Sequence, residues 1–179
     1  MIQAGKIRHF GLSNETAWGI TKWLQLSEQQ DLPRAVSIQN EYSLLCRHFE
    51  PDLSEIVLNE NCGLLAWSPL CRGMLSGKYL NGAKPEGARL TIETRPEHRK
   101  HPMTDAAIVK YIDLAKRHEL DACQMGIAYV NSKPFTSSTL IGATNMEQLK
   151  TNIDAISLKL SDEVNKEIEA IHREIPMPF

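Results

Sequence analysis

An α/β fold with a parallel sheet is what this sequence predicts, on three observations. Short apolar runs ending in small or polar residues recur at IRHFGLSN (7–14), AVSIQNEYS (35–43), GLLAWSPL (63–70) and SSTLIGAT (137–144). The first three begin about 28 residues apart, room for a strand, a helix and two turns. The stretches between them carry apolar residues at helical spacing.

In chain order, the first strand closes on Ser13 and Asn14, either of which predicts an N-cap for a helix whose apolar positions are Ala17, Trp18, Ile20, Trp23, Leu24 and Leu26. A second helix is predicted from about Pro51 to Asn61, with Leu53, Ile56, Val57 and Leu58 facing inward and Gly63 ending it. After the third strand, residues 80–103 are rich in Pro, Gly and charge and predict one long loop, a length usually kept for function. Thr104 is the expected cap of an amphipathic helix with Ala107, Ile108, Tyr111, Ile112 and Ala115 on one stripe. DACQMGIAYVNS predicts another helix before the last strand, and NMEQLKTNIDAI one after it. In the closing helix Asp162 and Glu163 stand in the first turn and His172 and Arg173 in the last, matching the helix dipole.

Bulk properties exclude several classes of function. The 179 residues suffice for one domain with a core. A composition of 42% hydrophobic and 23% charged residues is that of a globular chain rather than a disordered one. A net charge of -2 provides no basic field for nucleic acid or anionic lipid. Neither a bilayer-spanning apolar stretch nor a signal-peptide pattern is expected, and Cys46, Cys62, Cys71 and Cys123 form no CxxC pair. Reduced thiols and a cytoplasmic location follow as expectations.

The predicted units amount to four strands with their helices, whereas a closed (β/α)8 TIM barrel needs eight and about 250 residues. The sequence therefore predicts half a barrel, as a single partial domain over 1–179. Such a half leaves two open sheet edges and an uncovered inner face, so the remainder is a missing N-terminal half, is supplied by a partner such as a second copy, or is rearranged.

In parallel α/β folds ligands gather at the C-terminal strand ends, so the residues there are the candidates. The Asn14 amide has a donor and an acceptor suited to reading another amide, although Ser13 and Asn14 would serve equally as caps. A buried Gln39 needs partners, which a structural network could supply as well as a ligand. Trp67 offers a face for a flat heteroaromatic ring, or simply packs in the core. Ser68, Leu70, Gly73, Gly77 and Lys78 combine loop backbone donors with one cation, as a pyrophosphate requires. Neither GxGxxG nor GxxxxGK[ST] is present, so a dinucleotide here would be held by neither of those motifs. Gly142 permits close backbone approach, Thr144 is a candidate helix cap, and Gln148 and Asn152 share a helix face. An ordinary surface helix explains the same pattern.

GKIRHFGLSN, SIQNEYSLL, LLAWSPLCRGMLSGKYLNG and STLIGATNMEQLKTNI, in this order, resemble the C-terminal half of an aldo-keto reductase. The resemblance is to the branch of bacterial NADP(H)-dependent reductases and potassium channel beta subunits, and covers essentially the whole chain. It implies strands 5–8 of the barrel, NADPH across the strand ends, and reduction of an aldehyde or ketone substrate. By this resemblance Ser13, Asn14 and Gln39 hold the carboxamide and Trp67 stacks on the nicotinamide. Ser68, Pro69, Leu70, Cys71, Arg72 and Lys78 line a strap over the pyrophosphate. Arg89 sits near the adenosine phosphate, and Gly142, Thr144, Gln148 and Asn152 bind the adenine-ribose phosphate region.

The family's catalytic Asp, Tyr, Lys and His come from its first four strands, to which nothing here corresponds. His98 and His101 have no third ligand in sequence and predict no metal site. The expectation is therefore a truncated oxidoreductase chain that binds NADPH weakly and is inactive alone. The alternatives are a non-catalytic NADPH-binding or regulatory half-barrel acting through a partner or as a homodimer, and a structural remnant with no ligand.

Overall fold

The computed structural model describes residues 1–93 and 97–179. Its sheet has four parallel strands, β1 (Leu12–Ser13), β2 (Ser37–Glu41), β3 (Gly63–Trp67) and β4 (Thr136–Leu140), in spatial order β1-β2-β3-β4. Helix α1 (Ala17–Gln29) joins β1 to β2, and α2 (Asp52–Asn59) joins β2 to β3. Between β3 and β4 run two 3-10 segments (Cys71–Ser76 and Leu80–Gly82), a single turn α3 (Arg89–Ile92), and the helices α4 (Pro102–Arg117) and α5 (Ala122–Asn131). Helix α6 (Met146–Asp154) follows β4, and α7 (Asp162–Glu174) closes the chain against α4.

The sheet has one dry face. Alternation along the strands sends Ile38, Leu64 and Ala66 to one side, where all three are fully buried. They join Ile20 and Leu24 of α1, Leu53 and Val57 of α2, and Met125, Tyr129 and Val130 of α5 in one core. The opposite face carries Ser13, Gln39, Glu41, Leu65, Trp67, Ser138 and Leu140, all partly or well exposed. At the lower end of β3 and β4 the Ser137 side chain fills the space over Gly63, where a Cβ would lie 2.9 Å from the Ser137 Cβ, and here the register slips by one residue.

Several local expectations are corrected. The predicted first strand over 7–14 shrinks to Leu12–Ser13, because only these pair with β2. Thr16, not Ser13 or Asn14, caps α1, its hydroxyl accepting from Gly19 N. Trp18 and Trp23 face outward, 77% and 49% exposed, because Gly19, Ile20, Leu24 and Ser27 take the inner stripe. Leu58 is likewise exposed, and Gly63 opens β3 instead of ending α2, whose cap is Glu60. His101 caps α4 through Nδ1, with Pro102 at the first helical position; Thr104 is buried and donates to Pro178 O. The predicted loop 80–103, of which 94–96 lie outside the described residues, contains two helical turns and the buried Arg99.

The charge placement expected for α7 holds: Asp162 and Glu163 stand in its first turn, His172 and Arg173 in its last. Among the described residues, no helix is long and apolar enough to cross a membrane.

Candidate functional site at the strand ends

Parallel register sets the exposed-face residues in rows. Ser13, Gln39, Leu65 and Ser138 lie side by side across the four strands, and Glu41, Trp67 and Leu140 form the next row toward the C-terminal ends. Trp67 Nε1 donates to Asn14 Oδ1 at 3.2 Å, and Asn14 Nδ2 donates to Ser13 Oγ at the same distance. Asn14 leaves β1 with φ 55 and Ser68 leaves β3 with φ 56, so both ends turn off the sheet through left-handed backbone. Asn tolerates that region through local polar contacts, whereas Ser68 carries some strain there. The structure thus links Trp67, Asn14 and Ser13 by side-chain bonds and sets Gln39 next to Ser13 on the same sheet face.

The segment after β3 is a compact strap. Cys71, Arg72 and Gly73 are all left-handed, and the carbonyls of Ser68 and Leu70 accept from Cys71 N and Gly73 N. A Cβ on Gly73 would lie 3.4 Å from Cε and Nζ of Lys78, so the glycine leaves room for the lysine to fold over the strap backbone. Leu75 anchors the strap against α5, where a Cβ on Gly126 would come within 2.4 Å of it. Cys71 and Pro69 are buried, so Cys71 presents only backbone, and burial pushes its thiol up.

Arg72 and Arg89 are already paired. Glu93 bridges them, and Arg72 Nη1 also reaches Glu97 Oε2. Glu97 accepts from Arg99 Nη1 at 2.8 Å, and Arg99 clasps Glu41 with two further bonds, Nε at 2.9 Å and Nη2 at 2.6 Å. Burial by itself would raise the Glu97 carboxyl, but the bonds from Arg99 and the Arg72 charge hold it below the usual carboxylate range. The Arg99 guanidinium, with the residue only 4% exposed, also lies 5.9 Å from the Trp67 ring centroid and 5.8 Å from that of Phe179.

The fourth unit differs from its sequence reading. Asn145, not Thr144, caps α6, its Oδ1 accepting from Gln148 N. Gln148 Oε1 in turn accepts from both N and Oγ1 of Thr144, a reciprocal cap that occupies the side chain. Asn152 is buried and donates to Gly142 O, and no atom approaches the position of a Gly142 Cβ within 4 Å. The close backbone approach expected at Gly142 is therefore not made within the chain.

Glu41, Glu93, Glu97 and Arg99 form a charged run beside the candidate site that the sequence reading missed. For Glu41 a signal existed: in SIQNEYS it stands two positions after Gln39, which places both on one face of a strand.

The model of the aldo/keto reductase family matches residues 1–173. The protein Tas of Escherichia coli K12 is 52% identical over 176 residues, covering 98% of this chain and 51% of Tas. An aldo-keto reductase of Babesia bovis is 34% identical over 96% of this chain and 63% of its own length. A Schizosaccharomyces pombe protein described as a candidate voltage-gated potassium channel beta subunit is 32% identical, over 99% and 54%. The chain spans about half the length of such relatives. With the family model matched over nearly all of its residues, the chain belongs to the aldo/keto reductase family.

Proposed function

We propose that this chain is the NADP(H)-binding half, strands 5–8 of eight, of a cytoplasmic aldo-keto reductase that reduces an aldehyde or ketone. The observation that carries the reading is the hydrogen-bonded run Trp67–Asn14–Ser13 at the C-terminal strand ends, with Gln39 beside Ser13 in the adjoining row of the same sheet face. The donor set fits a nicotinamide cofactor: Asn14 and Gln39 offer amides to a carboxamide, the indole offers a ring face, and the strap offers backbone with Lys78 folded over Gly73. When bound, the cofactor would supply hydride. This chain's own residues bind and orient it: Ser13, Asn14 and Gln39 at the carboxamide, Trp67 against the ring, Ser68 through Lys78 along the pyrophosphate. Arg89, Gly142, Thr144, Gln148 and Asn152 lie toward the adenosine end, where Gln148 exchanges its bonds to Thr144 for bonds to the ligand. The four free cysteines suit a reducing compartment.

No tyrosine of this half is placed to give a proton to a carbonyl oxygen. Tyr42, Tyr111 and Tyr129 are buried and burial raises their hydroxyl pKa, while the Tyr79 hydroxyl accepts from Leu90 N. On this reading turnover draws its acid from a completing half, and loss of that acid is worth about 10²- to 10⁴-fold in rate. The exposed sheet face and the edges at β1 and β4 favour a second reading, a regulatory half-barrel that acts through whatever closes it.

Titration of the 179-residue chain with NADPH, followed by quenching of tryptophan fluorescence, tests the reading. Saturable quenching lost in Trp67→Ala and retained in Trp18→Phe and Trp23→Phe is expected. Quenching that survives Trp67→Ala would overturn the assignment of the platform.

A further inference from the structure

Glu41 is a carboxylate in the same row as Trp67, on the face where the cofactor is read, and Arg99 cancels its charge through two bonds while lying against the same indole. The two residues are 58 apart in sequence, and in the fold their bond holds the segment around Arg99 against the strand ends. That task alone would not call for an ion pair beside the indole, since apolar contacts tether loops at no desolvation cost.

Oxidised and reduced nicotinamide differ by one positive charge on the ring. A fixed charge next to the ring's platform therefore acts on one form and leaves the other nearly untouched. The chain of alternating charges Glu41, Arg99, Glu97, Arg72, Glu93 and Arg89 sums to zero, and removing either member of the first pair leaves one uncompensated charge beside Trp67.

We propose that the Glu41–Arg99 pair sets the electrostatic balance at the Trp67 platform and thereby the relative affinity of the site for the oxidised and reduced cofactor. The inference rests on the reading that the nicotinamide lies on Trp67. Glu41 and Arg99 are positioning residues in this scheme; neither needs to touch the cofactor. Their two charges push the ratio of affinities in opposite directions, a property that a merely structural tether lacks. Loss of a tether weakens both forms together.

The test is calorimetric titration of the 179-residue chain with NADP+ and with NADPH, for the wild type, Arg99→Gln and Glu41→Gln. Arg99→Gln should favour NADP+ by on the order of threefold to tenfold relative to NADPH, and Glu41→Gln should favour NADPH by a similar factor. Shifts in the same direction, or ratios within about twofold of the wild type in both variants, overturn the proposal. Should Arg99→Gln not fold, Glu41→Gln decides alone: a shift toward NADPH supports the proposal and an unchanged ratio refutes it. A wild-type chain that binds neither form removes the cofactor reading and this inference with it. One that binds both, with unmoved ratios in the variants, removes only the inference.

Discussion

Gly77 is where the strap turns back toward α4, and replacing it by alanine gives a cost that can be divided into two parts. Its φ is +77, and a Cβ there would lie 2.5 Å from Ile112 Cδ1 and 3.4 Å from Leu80 Cδ1. An alanine in left-handed backbone costs about 1–2 kcal/mol. Overpacking in a filled site adds about 1–3 kcal/mol, and the lower half applies here because the Ile112 tip is only partly buried and can rotate. The expected loss for Gly77→Ala is therefore about 2–4 kcal/mol, read from equilibrium urea unfolding followed by circular dichroism. Combining it with Ile112→Ala removes the steric part and leaves the backbone part. The two substitutions should then couple favourably by about 1–2 kcal/mol in a double-mutant cycle. A Gly77→Ala loss below about 1 kcal/mol would refute both parts, and a cycle with no coupling would refute the steric part.

Three further outcomes follow from side-chain environments. The bonds from Arg117 and then His118 hold the Glu167 carboxyl at about 2, so carboxyl NMR should find it titrating well below ordinary glutamates. Its stabilising contribution is full above about pH 4.5 and lost as pH falls toward about 2, and Arg117→Gln should move the titration up. Burial, then the neighbouring Arg47, lowers the His172 pKa, so the unfolded chain binds a proton before the folded one does. Stability should accordingly fall as pH drops below about 6.5, with a slope that His172→Gln flattens in urea midpoints measured from pH 7.5 to 5.5. Burial raises the Cys46 thiol to about 12 and the Cys123 thiol to about 11; iodoacetamide at pH 8 should leave both unmodified in the native chain and label them in denaturant, and native labelling at Cys46 would contradict its burial.

The parts of the fold legible in the sequence are those decided by neighbours in the chain. Strands β2 and β3 show because alternation places Ile38, Leu64 and Ala66 on one face, and α7 shows because its charges match its dipole. Caps were harder where several candidates crowd together. SNET offers Ser13, Asn14 and Thr16, and only the left-handed turn at Asn14 moves the helix start past it. Pro102 at the first helical position marks an earlier start of α4 than Thr104, a threonine that the fold buries against Pro178. Of the candidate site, strand ends placed Ser13, Asn14, Gln39 and Trp67 at one end of the sheet but left capping and core packing open as their roles, and only the resemblance joined them. Arg99 could not be anticipated, since EHRK in a charged loop reads as solvated and its partner Glu41 is 58 residues away. The engagement of Arg72 and Gln148 was equally hidden, because which acceptor a side chain chooses depends on geometry that only the folded loop defines.

The Glu41–Arg99 clasp also constrains how this sequence can drift. A buried charge stripped of its partner is far more costly than an exchanged or jointly deleted pair. A substitution at either position is thus tolerated chiefly when the other changes with it, and the constraint extends through Glu97 to Arg72. Lineages of this chain should then divide into those that keep the whole alternating run and those that have replaced it in one step by neutral packing, with few intermediates between.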